Sequence, residues 1–157
     1  MIDIQRDLPP FGHVGYIVDD IDANVEVYRQ LLGIDNFTVY DFMPDKAWAY
    51  KKKIVGCKLR IAMGVLKDGV KIELIQPLSD NTPHANFLKE KGQGLHHIAF
   101  YTKEYEDWLD FYEKQGAKIV FEAETEDDLF GYRRSFYAKL KDMVGIIEIT
   151  EIARKRT

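Results

Sequence analysis

Apolar positions along the chain follow two periods in succession, and they do so twice. Residues 12–17 ("GHVGYI") read as a short strand, after which Ile21, Val25, Tyr28 and Leu32 recur at helical spacing. Residues 96–102 ("HHIAFYT") read as a second strand, and Tyr105, Trp108, Leu109 and Tyr112 then mark a second amphipathic helix. Asp20 and Thr102 stand where N-caps belong, and Gly33 and Gly116 where helices stop. Three strand-like runs follow each helix. After the first they fall at 37–43, 57–66 and 70–76, the last two joined by a "KDG" turn at 67–69. After the second they fall at 118–124, 132–140 and 145–152. The pattern predicts an α+β fold: two βαβββ modules in tandem, at 11–78 and 95–152, with a connector at 79–94, making one domain overall.

The two halves also align residue on residue. His13 falls on His97, Val14 on Ile98, Gly15 on Ala99, Tyr16 on Phe100 and Tyr28 on Tyr112. In the last strands, "IELIQP" falls on "IEITEI", which places Glu73 on Glu148. Each module thus opens its first strand with a histidine and carries a glutamate inside its last. His96 falls on Gly12, where the first copy has no side chain. Strand alternation sends His96 to the face opposite His97, as a packing or surface residue.

Charge narrows the function classes. Twenty-two basic and 26 acidic residues are interspersed, with no basic stripe for nucleic acid. No apolar run reaches the roughly 20 residues that span a bilayer. The opening "MIDIQRDLPPFGH" lacks the basic-then-apolar pattern of a secretory leader, and the single cysteine, Cys57, has no partner within the chain. These features predict a cytoplasmic protein acting on a small molecule, with Cys57 a packing residue.

Glu73 and Glu148 each lie between isoleucine or leucine neighbours, where a carboxylate is costly to bury unless it is compensated. Two such carboxylates at equivalent repeat positions, matched by two histidines, predict a shared cup that neutralises one divalent cation. His84, in "NTPHANFL", has no counterpart and reads as connector surface, and Tyr28, Trp108, Phe111 and Tyr112 read as core. Lys58, Arg60, Arg133, Arg134, Lys139 and Lys141 lie on or near the third strands. For most of these the expectation is a solvated sheet edge; some are candidates to meet an anionic substrate.

At these residues, from about Gly12 to Glu151, the chain resembles the vicinal oxygen chelate superfamily, which includes glyoxalase I, methylmalonyl-CoA epimerase, extradiol dioxygenases and bleomycin-resistance proteins. The resemblance is closest to the epimerases, over residues 71–100, "KIELIQPLSDNTPHANFLKEKGQGLHHIAF". It implies paired sheets curved around one divalent metal (Co, Mn, Ni, Zn or Mg) held by His13, Glu73, His97 and Glu148, and a homodimer. It also implies an epimerase or isomerase that abstracts a proton beside a carbonyl, with Glu148 and Glu73 as catalytic acceptors. The substrate would be an anionic acyl thioester or a hydroxycarbonyl compound. A glyoxalase I-type lyase and a non-catalytic binding protein of the drug-resistance type are the alternatives. A dioxygenase would want two histidines and one carboxylate, so a fourth ligand at Glu73 argues against it. Two departures bear on the thioester: 135–145, "SFYAKLKDMVG", has no His-Pro, and "CKLRIAMGVL" at 57–66 carries no carboxylate.

Overall fold

The computed structural model describes residues 1–153. A short helix α1 (Ile4–Asp7) precedes strand β1 (Phe11–Ile17) and helix α2 (Ile21–Leu32). Strands β2 (Thr38–Phe42), β3 (Lys46–Ala49), β4 (Lys52–Ile54), β5 (Leu59–Val65) and β6 (Lys71–Pro77) complete the first half. Helix α3 (Pro83–Lys91) leads into β7 (Gly94–Thr102), α4 (Tyr105–Lys114), β8 (Lys118–Asp127), β9 (Gly131–Lys139) and β10 (Ile146–Ala153). No helix among the described residues is long and apolar enough to cross a membrane.

All ten strands form one curled sheet in the order β2-β5-β6-β1-β7-β10-β9-β8-β3-β4. The order reads the same outward from its centre, where β1 and β7 pair antiparallel: β6, β5, β2 on one side and β10, β9, β8 on the other. Each half is a βαβββ module, and the whole has the vicinal oxygen chelate architecture. The two parallel pairings repeat the same register. Glu73 on β6 lies opposite Gly15 on β1, and Glu148 on β10 lies opposite Ala99 on β7. In both cases the partner stands two residues after the module's histidine, on the same face of its strand.

Helices cover the convex face. Ile21 of α2 packs with Ala62, Ile72 and Leu74, and Tyr28 joins the same cluster. Trp108 and Tyr112 of α4 pack with Phe136, Ala138, Ile147 and Ile149, and Phe111 joins them. Asp20 caps α2 by accepting from the Ala23 amide, and Gly33 ends it in the left-handed region (φ 64). Leu32, expected inward, is half exposed at the fraying end of α2. Thr102 is not the cap of α4; it stands two residues before the cap position, Glu104, and its hydroxyl accepts from the Glu104 amide.

Two elements depart from the sequence expectation. The first is the hairpin β3–β4, which crosses over to pair with β8, the outer strand of the second module. Its turn residues Tyr50 (φ 50) and Lys51 (φ 66) both take positive φ without Asn or Gly, so the usual hairpin signal is missing. The second is α3, inside the expected connector, which Thr82 caps by accepting from the Ala85 amide, with Pro83 in the first turn. This helix turns His84 inward, and His84 is fully buried instead of lying on the surface.

Candidate metal centre

The concave face holds a third apolar cluster, including Ile17, Leu59, Ile61, Ile75, Phe121 and Tyr137. His13, Glu73, His97 and Glu148 converge beside it, and all four are buried. His13 Nε2 lies 2.9 Å from Glu73 Oε2, 3.3 Å from Glu148 Oε2 and 3.1 Å from His97 Nε2. His97 Nε2 lies 3.0 Å from Glu73 Oε2 and 3.0 Å from Glu148 Oε2. One donor atom from each residue falls within 4.8 Å of all the others.

These separations permit a test of fit. Adjacent donors on an octahedral ion at about 2.1 Å are about 3.0 Å apart and opposite donors about 4.2 Å. Donors on a tetrahedral ion at about 2.0 Å are about 3.3 Å apart throughout. Five of the six pairs fall at 2.9–3.3 Å, so the group is already closed to the size of one ion's ligand sphere. Among the described residues, Glu148 Oε2 is buried with no well-aligned hydrogen bond, its only close partners being the two imidazole nitrogens, and a cation among the four would satisfy it directly. The four residues could hold a metal ion.

Charge distribution supports the same view. Burial opposes ionisation of all four groups, but here each sign stabilises the other. The carboxyls of Glu73 and Glu148 are held low despite burial by His13 and His97. The imidazoles of His13 and His97 are raised despite burial by the same two carboxylates. With no other cation, protons on the two rings balance the two carboxylates.

Surrounding residues orient the ring nitrogens. The hydroxyl of Tyr101 lies 2.8 Å from His13 Nδ1, and Thr150 donates to Glu148 Oε1 at 2.7 Å. His97 Nδ1 lies 3.0 Å from Nδ1 of His96. Strand alternation forbids that contact in a regular strand. A bulge permits it: Gly15 faces His97 while Tyr16 faces Leu95, so His96 is the extra residue. His96 is a packing residue, as one of the two expectations had it, buried among Phe87, His84 and Tyr137, but it touches His97 instead of pointing away from it. Burial first, then the neighbouring His97 and His84, push its pKa well below the usual range, leaving a neutral ring able to accept from His97 Nδ1–H. Gly15 is the other residue that sequence spacing did not single out. The His97 ring occupies the space above it, and a Cβ there would come within 2.0 Å of Cε1.

The remaining candidates sort cleanly. His84 is not in the group of four; its Nε2 lies 3.0 Å from the Tyr137 hydroxyl, and burial pushes its pKa down to about 3. Lys58 and Arg60 both pair with Asp41. Cys57 is buried and its thiol is pushed up to about 11 by burial, as suits packing.

Comparison with known proteins accords with this geometry. Residues 12–132 match the family model of the glyoxalase/bleomycin resistance protein/dioxygenase superfamily. The chain belongs to that superfamily. An ethylmalonyl-CoA/methylmalonyl-CoA epimerase of Cereibacter sphaeroides is 25% identical over 143 residues, covering 90% of this chain and 96% of that one. An uncharacterized protein of Bacillus subtilis, YqjC, is 34% identical over 88 residues, 56% of this chain and 54% of its own length. Among solved structures, methylmalonyl-CoA epimerase from Mycobacterium tuberculosis is similar with a TM-score of 0.70 at 23% identity, covering 98% of this chain and 93% of that one. A methylmalonyl-CoA epimerase in complex with methylmalonyl-CoA and ammonium is similar with a TM-score of 0.68 at 23% identity, covering 94% and 96%. At this identity the structural matches establish the fold.

Proposed function

We propose that this protein is a divalent-metal-dependent epimerase or isomerase that moves a proton at a carbon beside a carbonyl. The observation that carries the reading is the four-residue cluster: two imidazoles and two carboxylates, buried together and closed to about one ion's ligand distance. His13, Glu73, His97 and Glu148 hold the metal. A divalent ion, when bound, stabilises the negative charge that builds on a substrate carbonyl oxygen as the neighbouring carbon loses its proton. Glu148 takes that proton, and Glu73, from the other module, serves the opposite face. Thr150 fixes the Glu148 carboxylate through Oε1, which orients the acceptor.

The cavity against Glu73 and Glu148 is narrow, about 60 Å³, and is lined on the first module by Tyr40, Phe42, Leu59 and Ile61. It suits a small acyl or hydroxycarbonyl head. An acyl-CoA thioester, as in the epimerases above, fits this reading if its carrier stays outside the curl. Strand β2 ends the sheet and pairs on one side only, which favours a homodimer that covers the edge; sedimentation should give twice the 18.3 kDa of the chain.

The deciding experiment combines metal quantification with solvent deuterium exchange into methylmalonyl-CoA and into small hydroxycarbonyl compounds. We expect about one divalent ion per chain and exchange that a chelator abolishes. A protein that binds no divalent ion, or exchange indifferent to the chelator, overturns the reading.

A further inference from the structure

We infer that Arg133 forms a second binding point in the same cavity, for a negatively charged group of the substrate (carboxylate or phosphate) that does not sit on the metal. The inference rests on the proposed function and deepens it by specifying the substrate class.

Along β9, Arg133, Ser135 and Tyr137 alternate onto the concave face, and opposite them on β10 stand Ile152, Thr150 and Glu148. Arg133 is thus four residues, about 13 Å of strand, from the residue that faces Glu148. It lines the same cavity as Glu73 and Glu148. Thr125, Ser135 and Thr150 supply neutral hydroxyls to the same lining.

The guanidinium is held and dried but not satisfied. It lies over the rings of Phe42 and Phe130, at 5.4 and 5.0 Å from their centroids, and its side chain is 13% exposed. Nη1 and Nη2 are both buried, and neither makes a hydrogen bond among the described residues. Asp127 Oδ2 approaches Nη1 to 2.9 Å, but the other oxygen of Asp127 is engaged with the amides of Leu129 and Phe130, at 3.0 and 2.8 Å. Asp127 therefore shapes the turn that carries Phe130 over Arg133, and leaves Nη2 without a partner. Arg134 shows the contrast. It also borders the cavity, but its guanidinium is fully engaged: it pairs with Glu106 and Glu151 and stacks on Tyr105. Asp127 partners Nη1 alone, so a buried donor stays open at Nη2; that is costly, and an anionic oxygen beside it fills the place. The two aromatic faces fix its plane and exclude competing water.

The test uses hydroxamates, which present two oxygens to a metal. Acetohydroxamate is compared with the monohydroxamates of succinate, glutarate and adipate, and with their phosphonate-ended counterparts, on the Mn²⁺-loaded protein by calorimetry. We expect at least one tailed ligand to bind about tenfold or more tighter than acetohydroxamate, the effect of a charge-assisted hydrogen bond. The better-bound tail, carboxylate or phosphonate, identifies the anion. Arg133→Gln should erase the preference while leaving acetohydroxamate affinity unchanged, and Arg133→Lys should keep part of it. Arg134→Gln should keep it all. No preference in the wild type, or a preference that survives Arg133→Gln or disappears equally in Arg134→Gln, overturns the inference and leaves the metal reading standing. If the protein takes up no Mn²⁺, the metal reading fails. Inorganic phosphate titrated against wild type and Arg133→Gln then decides the subsite alone: binding lost in the variant supports it, and equal binding overturns it.

Discussion

His97 occupies its position because Gly15 has no side chain, and this one packing relation ties the two modules together at the centre. The ring that would coordinate a metal for the second module stands in space that any Cβ on the first would fill. Gly15→Ala should therefore lower bound metal as far as His97→Ala does, with the fold kept, as read by metal analysis and circular dichroism. His96 acts more gently. It is not one of the four residues, yet its neutral Nδ1 fixes which nitrogen of His97 carries the proton. His96→Ala should weaken metal affinity about 10- to 100-fold while a saturating metal concentration restores full stoichiometry. Glu148→Gln keeps an oxygen donor but loses the base, so it should retain much of its metal and lose on the order of 10²–10⁴ in exchange rate. Near-wild-type exchange would move the base to Glu73. The four-residue cluster was legible in the sequence because repetition marks it: one strand glutamate is ambiguous, but two at matched positions are not. Gly15 and His96 were not legible. The first shows only as an absent side chain, and the second follows from a bulge that strand periodicity cannot register.

Element by element, legibility followed local chemistry. The helix α2 was readable at both ends because Asp20 and Gly33 perform the cap and stop that their residue types suggest. Removing the cap with Asp20→Ala should cost about 1 kcal/mol in urea unfolding, typical of a lost side-chain N-cap. A cost near zero would mean that packing of Ile21 alone sets the helix start. The hairpin β3–β4 escaped notice because Tyr50 and Lys51 hold a turn that Asn-Gly would announce. Its pairing is also non-local, from the first module to the outer strand of the second. The helix α3 did carry a signal, Thr82-Pro83 at its start, but nine residues between modules are too few for a clear apolar period. That helix determines the fate of His84, which was expected outside and lies against Tyr137 and Phe121.

At the scale of the molecule, two classes of buried histidine should make stability depend on pH in opposite senses, and metal should cancel only one of them. His84 and His96 are neutral in the fold, their pKa values pushed down first by burial. Below the unfolded value of about 6.5 the unfolded chain binds protons that the native chain refuses, so stability falls as pH drops, by up to roughly 1.4 kcal/mol per pH unit for each ring. His13 and His97 run the other way. Burial opposes their charge, but Glu73 and Glu148 raise both above the usual range. Their contribution is complete below about pH 6.5 and is lost as pH rises through the raised folded values, when two carboxylates remain buried with no counter-charge. A divalent ion displaces those ring protons and supplies the counter-charge itself, so the alkaline loss should vanish when the centre is loaded. Glu73 and Glu148, held low in the fold, add to the acid limb once pH falls through their folded values. Thermal unfolding between pH 5 and 9 should then show the chelator-treated protein weakening on both sides of neutrality and the metal-loaded protein weakening on the acid side alone. His84→Asn should flatten the acid limb in both forms without altering the alkaline one. An alkaline limb identical with and without metal would mean that the four residues do not exchange protons for a cation, and the centre would lose its physical basis.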